Sequence, residues 1–145
     1  MSYYLRHDVR VEATSCNDGV QGYAGNVLLE SVAPTDAATL PVSVTAGGMY
    51  GAPPGTQFVN VLLFGPAGGT VTDLRVNAQR IESAVIDYDG RPVDTVAVQL
   101  EPGQKARLSW RMTSGPDQPG STRVSVTPGI EEHVYSSTEL SACRG

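Results

Sequence analysis

Residues 93–112 read VDTVAVQLEPGQKARLSWRM, and the two halves of this stretch decide the fold class. After the turn signal Glu101-Pro102-Gly103, Ala106, Leu108, Trp110 and Met112 alternate with Lys105, Arg107, Ser109 and Arg111. A period of two is that of a strand with one face in a core and one in water. Trp110 is therefore expected inside, not on a binding platform. The first half, residues 93–100, is rich in Val and Thr and follows a segment, residues 81–88, that ends at Asp89-Gly90. Asp-Gly between two strand-like runs marks a hairpin, so two hairpins in succession are expected here.

The same grammar extends outward. At the N-terminus Tyr3, Leu5, His7, Val9, Val11 and Ala13 alternate with Tyr4, Arg6, Asp8, Arg10, Glu12 and Thr14. Asn17-Asp18-Gly19 turns this strand into an apolar segment at residues 23–32, with Cys16 at the mouth of the hairpin. Residues 33–57 are irregular, broken by Ala33-Pro34, Leu40-Pro41, Gly47-Gly48 and Pro53-Pro54-Gly55, and only residues 42–46 resemble a short edge strand. A connection of that length in a compact domain is either functional or crosses between sheets. Phe58-Val59-Asn60-Val61-Leu62-Leu63-Phe64 is apolar on both faces apart from Asn60, the pattern of a central strand. Gly65-Pro66-Ala67-Gly68-Gly69 turns the chain into a looser alternation at residues 70–78. Beyond a Pro/Gly loop at residues 114–120 come a strand at residues 122–127 and a tail from Ile130 to Cys143.

Eight or nine short strands, and no periodic segment of helix length, imply an antiparallel β-sandwich or a β-barrel. The sandwich is preferred because strands wet on one side accompany one that is apolar on both. At 145 residues, residues 1–145 form one domain large enough to bury a core. Charged residues make up 17%, below the roughly 25% of an average domain, while 16 Gly and 10 Pro supply the turns. The ten basic residues are scattered and the net charge is -5, so nucleic acid is not an expected partner. No run approaches the roughly 20 apolar residues of a membrane span. A strand in the place of a leader suggests that the chain is part of a longer exported protein. Cys16 and Cys143 are expected to clip the two ends together, as disulfides do in oxidising compartments; the alternative is two unpaired small side chains.

Little chemistry is visible. No Ser or Cys stands in a recognisable frame with a base, and His7 in the first strand and His133 in the tail suit structural roles better. No catalytic residue is assigned. Asp87, Asp89 and Asp94 fall short of a calcium loop, which needs more oxygen ligands and a distal Glu, and two cysteines with two histidines lack zinc spacing, so no metal or cofactor is expected. Residues 65–69 lack the Lys-Ser/Thr ending of a phosphate loop and precede a strand. Asp73, Glu82, Asp87, Asp94 and Glu101 offer carboxylates from which a glycan-processing pair would have to be drawn, without favouring one. Among the tyrosines Tyr50, in a Gly-rich loop, is the candidate for stacking on a sugar.

Several segments taken together carry a resemblance: Tyr3-Tyr4-Leu5, the run from Val9 to Cys16, Ala33-Pro34, Leu40-Pro41, Phe64-Gly65-Pro66, Asp89-Gly90-Arg91-Pro92-Val93 and Leu100-Glu101-Pro102-Gly103. They resemble the C-terminal, extracytoplasmic part of a family of membrane-anchored actinobacterial proteins classed as a domain of unknown function. The resemblance covers nearly the whole chain. The strand running into Glu101-Pro102-Gly103 is also similar to a corner of bacterial immunoglobulin-like surface domains, which implies an immunoglobulin-like sandwich. From the family resemblance follow a cell-envelope location, a membrane helix preceding these residues, and an association with surface polysaccharide. The resulting expectation is a noncatalytic structural or interaction domain at the bacterial surface, whose partner is a surface glycan or another envelope protein. A carbohydrate-binding module using Tyr50 is the alternative, and a glycan-processing enzyme the second.

Overall fold

The computed structural model describes residues 4–41, 55–118, 120, 122–126, 139–140 and 143. Among these residues eight strands make the sandwich: β1 (Leu5–Asn17), β2 (Val20–Ser31), β3 (Gln57–Phe64), β4 (Thr70–Val76), β5 (Gln79–Arg80), β6 (Ile86–Tyr88), β7 (Arg91–Leu100) and β8 (Lys105–Thr113). The two-residue β9 (Thr122–Arg123) and β10 (Glu139–Leu140) pair with each other, and a 3-10 turn spans Ala37–Thr39. All ladders are antiparallel, and they make a five-stranded sheet ordered β1-β2-β8-β4-β5 and a three-stranded sheet ordered β3-β7-β6. The expected sandwich is thus the fold, and the sheets do not close into a barrel. β8 lies between β2 and β4, where the immunoglobulin order has the strand that directly follows the fourth.

Three hairpins close through two-residue turns with positive φ at both positions: Asp18-Gly19 (53° and 79°), Asn77-Ala78 (50° and 68°) and Asp89-Gly90 (52° and 80°). This is the type I′ geometry, whose twist matches the flanking strands. Asp-Gly satisfies it readily, whereas Ala78 adopts it against its own preference.

Both sheets contribute to one core. Val27, Leu29, Val71, Leu74, Ala106, Leu108 and Trp110 come from the larger sheet, and Leu63, Val98 and Leu100 from the smaller. Leu100 and Leu108 are fully buried, and burial of such side chains contributes roughly 1.5–3 kcal/mol each. Trp110 is core as expected. It stands opposite Gly25 across the β2–β8 ladder, and a Cβ added to Gly25 would meet the indole at 2.5 Å. Only glycine leaves that seat open.

Polar side chains close the two ends of this core. At one end the buried Gln21 donates through Nε2 to the carbonyls of Gln118 (2.8 Å) and Gly120 (2.6 Å), while its backbone N–H donates to Ser114 Oγ (2.8 Å). At the other, Gln57 Nε2 donates to the buried Ser31 Oγ across the two sheets (3.2 Å).

The structure corrects several local expectations. The Glu101–Gln104 segment is a corner between sheets, not a hairpin turn. Gly103 N–H donates to Ser31 O (2.9 Å) and Ser31 N–H to Gln104 O (3.0 Å), which anchors the corner on β2 and delivers β8 to the five-stranded sheet. Residues 81–85 are not strand, and residues 70–78 end as strand at Val76. The looseness of that alternation has a cause: the ladder shifts between Thr72 and Arg75, with Asp73 at φ 54°, so Val71 before the bulge and Leu74 after it both turn inward. Of the described residues 122–126 only Thr122–Arg123 are strand, and the edge strand expected at residues 42–46 lies outside the described residues. Finally, among the described residues β3 is an edge strand, not the central one: β7 takes the middle of its sheet.

Candidate interaction surface

The position of β3 determines what its two-sided apolar sequence does. Val59, Val61 and Leu63 pack toward the core, and Phe58, Leu62 and Phe64 point outward, each 51% exposed. Across the sheet the same outward side carries Arg91, Thr95, Ala97 and Gln99 from β7, all exposed, and Ile86 and Tyr88 from β6, 58% and 64% exposed. Val93 also points outward yet is buried, because the register sets Phe64 on one side of it and Ile86 on the other. The Phe64 and Tyr88 rings meet edge to face, centroids 6.3 Å apart and planes at 81°. The outer face of the smaller sheet is therefore an apolar surface built around two aromatic rings.

Among the described residues its edge is equally open. Natural sheets guard their edges with charges, bulges, proline or very short strands. β1 carries Arg6, Asp8, Arg10 and Glu12 and a register shift between Ala13 and Ser15, while β5 has two residues and β6 three. β3 has eight residues without charge, proline or bulge, and among the described residues no strand pairs with its second edge.

Of the sequence candidates for chemistry, Asp73 lies apart from Asp87 and Asp94. Asp73 lies on the larger sheet, held by Arg75 (3.0 Å) and facing Arg111 (4.0 Å). Asp87 and Asp94 share the core-side register of β6–β7 on the other sheet. Asp87 is exposed, whereas Asp94 is 2% exposed, its Oδ2 accepting a bond from Ser83 Oγ (2.9 Å) and its Oδ1 having no partner. Glu82 is exposed, and Glu101 belongs to the intersheet corner. His7 sits on the inner side of β1, opposite Leu29. Among the described residues no three His, Cys, Asp or Glu side chains gather as metal ligands. Residues 65–69 carry the chain from β3 to β4, with Gly69 N–H bonded to Pro66 O (3.0 Å). Tyr50 and His133 lie outside the described residues.

The cysteines do converge. Cys16 and Cys143 form a disulfide with Cα atoms 5.2 Å apart across 127 residues of chain. Among the described residues no helix is long and apolar enough to cross a membrane. No family model matches the chain. Nor does any curated protein match it.

Sequence reasoning missed Phe58, Leu62, Phe64, Ile86 and Tyr88 as a surface. A run apolar on both faces carries the same signal whether its second face meets a neighbouring layer or nothing in the chain. The Ile86-Asp87-Tyr88 alternation before Asp89-Gly90 was the sign available for β6.

Proposed function

We propose that this is a noncatalytic interaction domain of a bacterial cell-surface protein, docking a partner through the outer face of β3, β7 and β6. The observation that carries this is the coincidence of five large exposed apolar side chains with an unguarded sheet edge. Neither feature helps the isolated domain in water, and both are explained by a surface that is covered at work. An envelope protein fits this face better than a glycan. Sugar hydroxyls require many polar partners, and the face offers only a few, Asn60, Thr95, Gln99 and, at its end, Arg91.

The disulfide supports an extracytoplasmic location, because such bonds persist in oxidising compartments. The resemblance to membrane-anchored actinobacterial proteins points the same way. The carbohydrate-binding alternative rests on Tyr50, which lies outside the described residues, and the enzyme alternative on carboxylates of which Asp73 lies on one sheet and Asp87 and Asp94 on the other.

Carbene footprinting tests the role. In the purified domain at high dilution, Phe58, Leu62, Phe64 and Tyr88 should be labelled strongly. On intact cells displaying the parent protein, a reagent confined to the outside should still label the domain but should spare these residues. Labelling of the face as strong on cells as in dilute solution would sink the interaction role, and no labelling of the domain from outside would sink its location.

A further inference from the structure

We propose that the partner of β3 is the β3 edge of a second copy of this chain, an inference that rests on the interaction role argued above. The backbone sets the phase. Gly65, one step past the Phe64–Val93 pair, donates its N–H to Pro92 O (2.8 Å). In an antiparallel ladder the residues that bond a given neighbour alternate. Gln57, Val59, Val61 and Leu63 therefore direct their N–H and C=O groups at β7, and Phe58, Asn60, Leu62 and Phe64 direct theirs at the edge with which no described strand pairs. The residues whose side chains form the exposed face are the ones with backbone groups to offer.

A two-fold axis at Val61 satisfies both requirements. It sets Phe58 opposite Phe64 of the second copy and Asn60 opposite Leu62, each pair exchanging two N–H···O=C bonds. The outward faces then join into one apolar surface, while Val59 and Leu63 meet on the core side. A slip of one residue would set outward side chains against inward ones and is excluded by the pleat.

Charge makes the edge self-compatible. The chain carries a net charge of -5, which opposes random association of copies, yet residues 57–64 contain no charged side chain. Every other described strand of seven or more residues carries at least one. The charge-free strand is also the long, unguarded one, so two copies approach along it without like charges opposed. The product is a continuous six-stranded sheet, β6-β7-β3 followed by its two-fold mate, an isologous interface in which each copy presents the same strand.

Sedimentation velocity of the whole chain, from micromolar to submillimolar concentration, with amide hydrogen exchange at both ends of that range, tests this. A species of twice 15.3 kDa is expected, in which the amides of Phe58, Asn60, Leu62 and Phe64 become protected as the dimer forms. Leu62→Lys, at an exposed position, should weaken the dimer by about tenfold or more by placing two lysines beside the axis. Gln99→Lys adds the same charge to the same face one strand inward and should leave the dimer intact. A monomer at all concentrations overturns the proposal. So does a dimer whose even-numbered β3 amides stay unprotected, one that survives Leu62→Lys, or one that Gln99→Lys also breaks. A monomer whose face is nevertheless shielded on cells sinks the dimer and leaves the interaction role standing; a face labelled freely on cells sinks the role.

Discussion

Among the described residues Asp94 is the one acidic side chain taken into the core region, and a single exposed hydroxyl, Ser83 Oγ, bonds it. Ser83→Ala should leave the buried carboxylate without a donor and cost about 1–3 kcal/mol. Asp94→Val removes the group that needs solvation and frees a serine that water reaches, so the double variant should be markedly more stable than Ser83→Ala alone. Urea unfolding of the four proteins, read at unchanged slope, gives the coupling. Strict additivity would mean that the bond carries no stability. None of this was legible beforehand, since Asp94 stood in the sequence only as one of several carboxylates. Trp110 shows how legibility divides at this scale. Its place in the core follows from alternation with charged neighbours, whereas its seat over Gly25 depends on which strand pairs with β8, and a glycine inside a strand announces close approach without naming the visitor.

At the scale of the element, turns were legible where backbone geometry selects residue type. Asp18-Gly19 and Asp89-Gly90 close the hairpins expected of them because φ is positive at both positions. Asn77-Ala78 makes the same turn and escaped notice, since alanine there signals nothing. Ala78 holds φ 68° in a conformation that costs an L-residue about 1–2 kcal/mol. Ala78→Gly removes that cost and returns part of it as backbone entropy of the unfolded chain, for a net gain of about 0.5–1 kcal/mol. Thermal unfolding should show a higher midpoint; an unchanged or lower one would mean the turn is not strained as its dihedral implies. Glu101-Pro102-Gly103 marks the other boundary of sequence reasoning. The turn is where it was expected, but whether a turn returns the strand to its own sheet or passes it to the next is decided by distant partners, here the β2 backbone at Ser31. The interaction face was hidden in the same way: residues 58–64 are apolar on both sides, and only the strand order, with β7 in the middle, turns a presumed central strand into an exposed edge.

For the whole molecule, the covalent link and the sheet order act at opposite ends of the folding balance. β8 inserts between β2 and β4, so the larger sheet is complete only after all of β1–β8 has been placed, and many of its contacts are long in sequence. Closing such contacts is what an unfolded chain of this length resists, and a bond across 127 residues removes part of that resistance. In the chain-entropy picture the gain is on the order of 4–5 kcal/mol. Replacing both cysteines by serine should therefore lower the thermal midpoint by roughly 10–15 °C at this size. Unfolding should accelerate less than refolding slows, because the bond acts chiefly on the unfolded ensemble. The oxidised protein should migrate as a single species without free thiols, and reductant should reproduce the variant's midpoint. A drop of only a degree or two would show that the bond constrains folded and unfolded chains alike, and that the sandwich is held by Leu100, Leu108, Trp110 and their neighbours without it.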